Sequence, residues 1–376
     1  MRAYIKRKQK MIHRHNYGNF RTAFNDVTGA YIRSGIIRDG KETEEDPFMA
    51  PFPELLDVGI MGSCLHGRTG LCLKAGVECY QDGANKNEPD MPFGDFEGLV
   101  RQCRGKTYQF ALGGRGDPDM HRDFEDILAC ARENGIVPNF TTSGIGMNRH
   151  KAALCKKYCG AVAVSWYRSR YTLDAVSMLM EAGVKTNIHY VVNAETVREA
   201  VSLLYGEPGK GFPEGVNAVV FLLHKPVGLG SREKMIKKDD ALFREFLELA
   251  VKKATSSARR RSLKIGFDSC TVPALLRFEN ELDPACLDTC EGARWSAYVS
   301  PDMRLLPCSF DADRMRWAVS LRENTVEEAW HSREFDDFRR RLTDACPGCH
   351  KRALCMGGCP IVPEIVLCGR KENNEV

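Results

Sequence analysis

The feature that most constrains this fold is a regular alternation of apolar and amphipathic segments between about residues 54 and 260. Six apolar runs recur, at residues 55–60, 107–112, 137–142, 161–166, 186–192 and 218–223. Between them lie stretches with helical spacing of apolar residues, for example 122–134, 171–182 and 194–205. This alternation predicts an α/β fold, a parallel sheet or partial barrel with helices outside. Six strands are too few for a closed eight-stranded barrel, and ligands are expected at the carboxyl ends of the strands.

The chain divides into three predicted parts. Residues 1–52 form an amino-terminal extension, with a β-hairpin predicted over residues 19–38 from its turn residues. Residues 53–262 form the strand-and-helix domain. Residues 263–376 form a small cysteine-rich domain, in which one further strand leads to Cys270.

The charge balance does not require an unusual partner. The 54 basic and 50 acidic residues leave a net charge of +4, which demands neither nucleic acid nor a membrane. No apolar run reaches the length of a membrane span, and the basic segment 1–16 lacks the apolar core of a secretory signal. We therefore expect a cytoplasmic protein, with segment 1–16 as a solvated tail.

Cysteine is the residue whose abundance is unusual, with 16 in 376 residues. A disulfide scaffold is usually short and secreted, whereas this chain is long and shows no export signal. Closely spaced cysteines in such a chain more often bind metal or do redox chemistry.

The first cysteine group is Cys64, Cys72 and Cys79, in one glycine-rich loop after the first predicted strand. Three thiolates can hold three corners of a [4Fe-4S] cluster and leave the fourth iron open to another ligand. Two alternatives remain at this point. The three cysteines and His66 could hold a structural zinc, or they could be unrelated buried thiols.

Polar and glycine residues follow the other predicted strands. These candidates for ligand binding at the rim are Gly113, Gly114, Thr141, Thr142, Ser143, Ser165 and Asn187. Each taken alone is typical of ordinary structure. Their shared position at one edge of the sheet makes them candidates together.

Nine further cysteines lie between residues 270 and 368. They are Cys270, Cys286, Cys290, Cys308, Cys346, Cys349, Cys355, Cys359 and Cys368. Nine thiols suffice for two four-ligand clusters, with one left over. A zinc ribbon over residues 346–359 is the alternative. We expect Cys103, Cys130, Cys155 and Cys159 to be buried small residues instead.

These motifs together resemble radical S-adenosylmethionine (radical SAM) enzymes with a carboxyl-terminal SPASM domain. The resemblance covers about residues 54–370 and is most specific in the Cys-x2-Cys-x5-Cys-x3-Cys run from Cys346, with Cys368 after it. It implies a partial (β/α)6 barrel and a cluster on the first cysteine group that binds SAM. Gly113 and Gly114 would then meet the SAM amino group, and Thr141–Ser143, Ser165 and Asn187 its carboxylate and ribose.

The resemblance also implies two auxiliary clusters. One would be held by Cys290, Cys308, Cys359 and an upstream cysteine, for which we prefer Cys270 to Cys286 because it ends a strand. The other would be held by Cys346, Cys349, Cys355 and Cys368. We call these two ligand sets the second and third cysteine groups.

Three features depart from the family pattern. The usual first motif is CxxxCxxC, whereas this loop reads Cys-x7-Cys-x6-Cys, with Gly76 at the middle position. Arg115 replaces the acidic residue that usually follows the two glycines. Ser309 follows Cys308 where sulfatase-maturating members have an aspartate, which leaves Asp311 as the candidate catalytic base.

The resemblance predicts an oxidoreductase that abstracts hydrogen from a substrate, first of all a ribosomally made peptide. A small metabolite is the enzymatic alternative. An RNA-modifying enzyme that uses segment 1–16 is a second class, and a zinc-stabilised binding protein without catalysis is a third. Flavodoxin or ferredoxin is the implied electron donor.

Overall fold

The computed structural model describes residues 12–206, 211–256 and 263–368. Its amino-terminal part forms a three-stranded antiparallel sheet in the order β1 (Ile12–Asn16), β2 (Arg21–Asn25) and β3 (Tyr31–Arg33). The β2–β3 pair is a hairpin within the predicted residues 19–38. A short pair, β4 (Ile37–Arg38) and β5 (Lys41–Glu42), follows. Of the basic segment 1–16, residues 1–11 lie outside the described residues.

The six predicted apolar runs are confirmed as neighbouring parallel strands. They are β6 (Leu55–Met61), β7 (Gln109–Gly114), β8 (Val137–Thr142), β9 (Val162–Ser165), β10 (Thr186–Val192) and β11 (Ala218–Leu223). At one edge, β12 (Lys264–Phe267) pairs parallel with β11. At the other, β13 (Ser296–Val299) pairs parallel with β6, and β14 (Arg304–Leu306) and β15 (Val319–Ser320) extend the sheet antiparallel.

Helices connect and flank these strands. They are α1 (Leu65–Thr69), α2 (Leu71–Lys74), α3 (Phe93–Cys103), α4 (Phe124–Glu133), α5 (Arg149–Tyr158), α6 (Arg170–Glu181), α7 (Val197–Tyr205), α8 (Ala241–Thr255), α9 (Val272–Leu275), α10 (Val326–Trp330), α11 (Arg333–Asp344) and α12 (Arg352–Cys355). Several begin at a side-chain cap. Ser169 accepts a hydrogen bond from the Thr172 amide at the start of α6, and Asp240 accepts one from the Phe243 amide at the start of α8.

The alternation of side chains along β6 shows how the sheet divides core from interior. Leu56, Val58 and Ile60 are fully buried in the main core cluster. Asp57 and Gly59 point to the opposite face, which is the inside of the partial barrel. A Cβ on Gly59 would lie 2.4 Å from the hydroxyl of Tyr298, so glycine makes room for that side chain.

A buried carboxylate helps to hold the amino-terminal sheet to the barrel. Glu54 accepts hydrogen bonds from the hydroxyls of Tyr17 (2.7 Å), Thr22 (2.5 Å) and Tyr31 (2.7 Å). Three hydroxyl donors satisfy a carboxylate that would be costly to bury alone. These hydrogen bonds fix the amino-terminal sheet at the start of β6. The first cysteine group lies at the other end of the same strand. Within the described ranges, no helix is long and apolar enough to cross a membrane.

Candidate active site

The first cysteine group gathers at the carboxyl end of β6. Cys64 precedes α1, Cys72 lies in α2, and Cys79 follows in the same loop. Burial raises the pKa of Cys72 to about 11, and the nearby Cys79 and Cys64 thiols act in the same direction. Gly83 lies between the other two, since its amide donates to Cys79 Sγ (3.4 Å) and a Cβ there would lie 3.5 Å from Cys64 Sγ. The three thiols thus share one small space.

Backbone carbonyls of this long loop are held by side chains from neighbouring strand ends. Asn193, directly after β10, donates to the Gly76 carbonyl (2.9 Å). Arg168, after β9, donates to the Ala75 carbonyl (2.7 Å). Arg115, after β7, donates to the Gln81 carbonyl (3.1 Å) and pairs with Glu88. The residue that departs from the family pattern therefore braces the loop, a role that the sequence did not suggest.

A second contact joins the loop to the strand ends through His66. Asp117 Oδ2 lies 2.8 Å from His66 Nε2 and accepts a bond from the Ser143 hydroxyl (2.5 Å). The Ser143 amide donates to the other oxygen of Asp117 (2.9 Å). His66 Nε2 is therefore occupied by protein partners, whereas its Nδ1 is buried without a hydrogen-bond partner among the described residues. No three His, Cys, Asp or Glu side chains of the described ranges converge on a single ion. A four-iron cube spreads its thiolates farther apart than one ion does, because each sulfur binds a different iron.

The predicted rim residues lie at different depths of the partial barrel, some at its mouth and some in its interior. Gly114 (φ +113°) lies against β6, where a Cβ would come within 2.3 Å of the Met61 carbonyl, whereas Gly113 faces open space. The Thr142 hydroxyl accepts a bond from the Gly144 amide (3.0 Å). Burial raises the pKa of Tyr167, next to β9, and the nearby Cys72 thiol acts in the same direction. These residues lie at the mouth of the barrel.

Thr141 and Asn187 lie deeper, lining a cavity of about 350 Å³ inside the barrel. Thr141 bonds to His189 Nδ1 (3.1 Å), and Asn187 accepts a bond from Asn217 (2.7 Å). Asn187 is the second residue of β10, so it lies at the amino end of its strand. We expected Asn187 to follow the strand, and this expectation is wrong because β10 continues to Val192. The polar residue at that strand end is Asn193.

The cysteines of the second group are partly buried, like those of the first, and they pack against the main core cluster. Burial raises the pKa of Cys290 to about 12, and the Cys359 thiol adds to this effect. Burial also raises the pKa of Cys308, with Cys270, Cys290 and Cys359 all contributing. Cys270 follows β12 at one edge of the parallel strands and Cys290 precedes β13 at the other, so the curved sheet brings its two edges together here. Cys286 is exposed instead.

The third cysteine group also assembles. Burial raises the pKa of the Cys355 thiol, followed by the effects of Cys349, Cys346 and Cys368. Cys355 thus lies near the other three thiols of its set, and the division of the carboxyl-terminal cysteines into two ligand sets stays a prediction. Buried protonated thiols release their protons when they bind a metal, which suits them to cluster ligation.

Asp311 lies in the 3₁₀ turn Ser309–Asp311 directly after Cys308. It is fully buried, and one of its oxygens accepts a bond from the Trp317 amide (3.1 Å). Its other oxygen has no hydrogen-bond partner among the described residues, and the nearest charge is Arg316 Nε at 3.7 Å. Burial raises the pKa of this carboxyl. A base has to reach its substrate, and Asp311 has no exposed surface in this conformation.

Comparison with known proteins supports the same fold. Residues 290–351 match the SPASM family, an iron-sulfur cluster-binding domain. The chain is similar to Streptococcus suis SuiB bound to S-adenosylmethionine, with a TM-score of 0.71 and 15% identity over 94% of this chain and 95% of that one. SuiB bound to precursor peptide SuiA gives a TM-score of 0.69 and 14% identity over 93% and 94%. The enzyme anSMEcpe with bound S-adenosylmethionine and Kp18Cys peptide gives 0.60 and 16% over 82% and 90%. No curated protein matches.

The chain therefore has the fold of radical SAM enzymes, a partial α/β barrel with a SPASM domain towards its carboxyl end. The resemblance drawn from the cysteine spacing and the predicted fold class are both confirmed.

Proposed function

We propose that this protein is a radical SAM/SPASM oxidoreductase that abstracts hydrogen from a peptide substrate. The observation that supports this most is the gathering of three thiols at the carboxyl end of β6, with no fourth among the described residues, in a chain that also has two further sets of four cysteines. Three thiols leave one iron of a cluster open, and four thiols close it.

The residues present fit these cofactors. Cys64, Cys72 and Cys79 would hold a [4Fe-4S] cluster whose open iron binds SAM. When reduced, this cofactor pair supplies the one-electron cleavage of SAM to methionine and a 5′-deoxyadenosyl radical, which takes a hydrogen atom from the substrate. The second and third cysteine groups would hold two auxiliary [4Fe-4S] clusters.

The chain's own residues hold the loop and shape the mouth around these cofactors. Arg115, Arg168 and Asn193 fix the carbonyls of the cysteine loop, so its geometry does not depend on the cofactor alone. Gly113 leaves open space beside β7 for the SAM amino group, and Gly114 next to it packs against β6. Thr141, Thr142, Ser143 and Ser165 are the proposed surroundings of the SAM carboxylate and ribose, whereas Asn187, at the amino end of β10, is not proposed to reach them. Of these hydroxyls, Ser143 is already bonded to Asp117. Enclosing the radical chemistry among buried side chains limits side reactions with water.

The substrate is proposed to lie between the first and second cysteine groups. Tyr80, next to Cys79, contacts Phe310, two residues after Cys308, with a ring-centre distance of 4.8 Å. Tyr80 is 39% exposed, so this aromatic pair borders open space between the groups. SuiB and anSMEcpe both bind peptides, which favours a peptide over the metabolite alternative. Asp311 remains the proposed base, and it would have to become exposed.

The remaining assignments are also proposals. Flavodoxin or ferredoxin would supply the electron. A reducing compartment such as the cytoplasm suits sixteen cysteines without a disulfide among them.

Iron and sulfide quantification, with a SAM-cleavage assay on the same anaerobic sample, tests the proposal. We expect brown protein with about twelve irons, four for each cubane, and release of 5′-deoxyadenosine after reduction with dithionite. Protein that contains zinc and no iron would overturn it. Incubation with a short peptide encoded beside the gene should change that peptide's mass, and an unchanged peptide would favour a metabolite substrate.

A further inference from the structure

The second cysteine group has a buried cation beside it. Lys225 lies two residues after the end of β11 and its side chain is only 4% exposed. Its ammonium pairs with Asp268, two residues before Cys270, and lies 4.6 Å from the ring centre of Phe310, two residues after Cys308. Lys225 is thus held by two residues that each lie two positions from a cysteine of the group.

Lys225 is charged in this position. Burial alone would lower its pKa, but Asp268, Cys270 and Cys308 outweigh this effect and raise it. With its side chain almost fully enclosed, this charge is screened by solvent much less than a surface charge would be.

We propose that Lys225 sets the reduction potential of the cluster held by Cys270, Cys290, Cys308 and Cys359, raising it above the potential that the same ligands would give without the buried ammonium. A cluster with four thiolates is an anion and gains one further negative charge on reduction. A fixed cation nearby stabilises the reduced form more than the oxidised form, and charge near a cluster is one of the factors that set its potential. This inference rests on the proposed function, since it needs a cluster in the second group.

The same segment touches both cysteine groups. Leu229 lies four residues after Lys225, and its amide donates a hydrogen bond to the Cys79 carbonyl (2.9 Å). Gly228 packs so closely on this carbonyl that a Cβ would lie 2.8 Å away. The loop after β11 therefore links the proposed SAM cluster to the cation beside the second group.

The test is a redox titration followed by EPR. Cys64, Cys72 and Cys79 are all changed to Ala, so that only the two auxiliary clusters are titrated, with dithionite as the electron source. Lys225→Met should move one of the two midpoint potentials to a more negative value and leave the other in place. We expect the reduction equilibrium to weaken about tenfold, which corresponds to about 59 mV for a one-electron couple.

Two variants sharpen the titration. Asp268→Asn should move the same midpoint in the opposite direction, and Lys225→Arg should leave it near the wild-type value because the charge is kept. Lys106→Met is the matched control, because Lys106 also pairs with a carboxylate (Glu327, 2.6 Å) and also lies over a phenylalanine ring (Phe52, 4.7 Å). Lys106 lies before β7, at the opposite end of the sheet.

The outcomes separate the two proposals. Iron-free protein would overturn the proposed function itself. Iron-replete protein whose two midpoints are unchanged in Lys225→Met would overturn only the role of Lys225. If Lys225→Met fails to hold the cluster, an Asp268→Asn midpoint that does not rise would overturn that role.

Discussion

The first and second cysteine groups use the same side chain but differ in the number of thiols and in their surroundings. The first has three thiols in one loop, partly exposed and braced by long polar side chains that hold backbone carbonyls. The second has four thiols from four separate segments, packed against the main core, with a paired ammonium near them. The number of ligands and their surroundings together distinguish a site with an open iron from one that only stores or passes an electron.

The two regions also differ in the buried charge that accompanies them. On the barrel face of β6, burial is the only cause that raises the pKa of Asp57 to about 6. Beside the second group, Lys225 is matched by Asp268. The barrel interior thus contains a carboxyl whose pKa lies near neutral pH, whereas an ion pair lies beside the second group.

The largest expected effect tests whether three thiols make the first site. Cys72→Ala should abolish reductive SAM cleavage and lose about four of about twelve irons, because two thiols hold a cluster poorly. Iron content and 5′-deoxyadenosine release measure this. Cys130→Ala, a half-buried cysteine outside all three groups, should leave both unchanged. SAM cleavage by the Cys72→Ala protein would show that the ligand assignment is wrong.

The next test asks which cysteine completes the second group. Cys270→Ala should lose the EPR signal of one auxiliary cluster while SAM cleavage continues. Cys286→Ala should keep all the iron, because this thiol is exposed while Cys270 lies among the other ligands. The reverse pattern would mean that the loop around Cys286 closes onto the cluster when it forms.

A smaller effect is expected at the contacts that brace the first loop. Asn193→Ala removes the bond to the Gly76 carbonyl and two bonds that the Asn193 side chain accepts from the Glu195 and Thr196 amides. A buried polar group left without a partner costs about 1–3 kcal/mol. We expect roughly tenfold slower SAM cleavage with unchanged iron content, measured as initial rates at saturating SAM. Equal rates would show that the loop is held without this side chain.

The smallest effect concerns the carboxyl inside the barrel. Folding raises the pKa of Asp57 from about 4 to about 6. The folded protein therefore loses stability as the pH rises between these two values, because the folded state disfavours the ionised carboxylate. Asp57→Asn should therefore increase the free energy of unfolding by about 1–3 kcal/mol at pH 7.5 and by little at pH 3.5. Urea unfolding of both proteins at the two pH values measures the difference. A gain that is equal at both would show that Asp57 does not titrate in this range.

The sequence predicted the strands well because an apolar run bounded by turn residues is a local signal. Cys64, Cys72 and Cys79 were predicted together for the same reason, since they lie within one loop. The contacts of Asn193 and Arg168 were not predicted, because a polar residue after a strand is ordinary and its partner lies far away along the chain. Asn187 was placed at the wrong end of its strand, although the length of the run, which extends to residue 192, already indicated where the strand ends.

By itself, the sequence determined the order of strands and helices and supplied enough cysteines for three clusters. Local periodicity and spacing are properties of short segments, and they survive without knowledge of the rest of the chain. Only the tertiary structure decided that Cys270 rather than Cys286 lies with Cys290, Cys308 and Cys359, and that Lys225 lies beside them. These residues come from opposite edges of the sheet, and they meet because the curvature of the parallel strands brings those edges together.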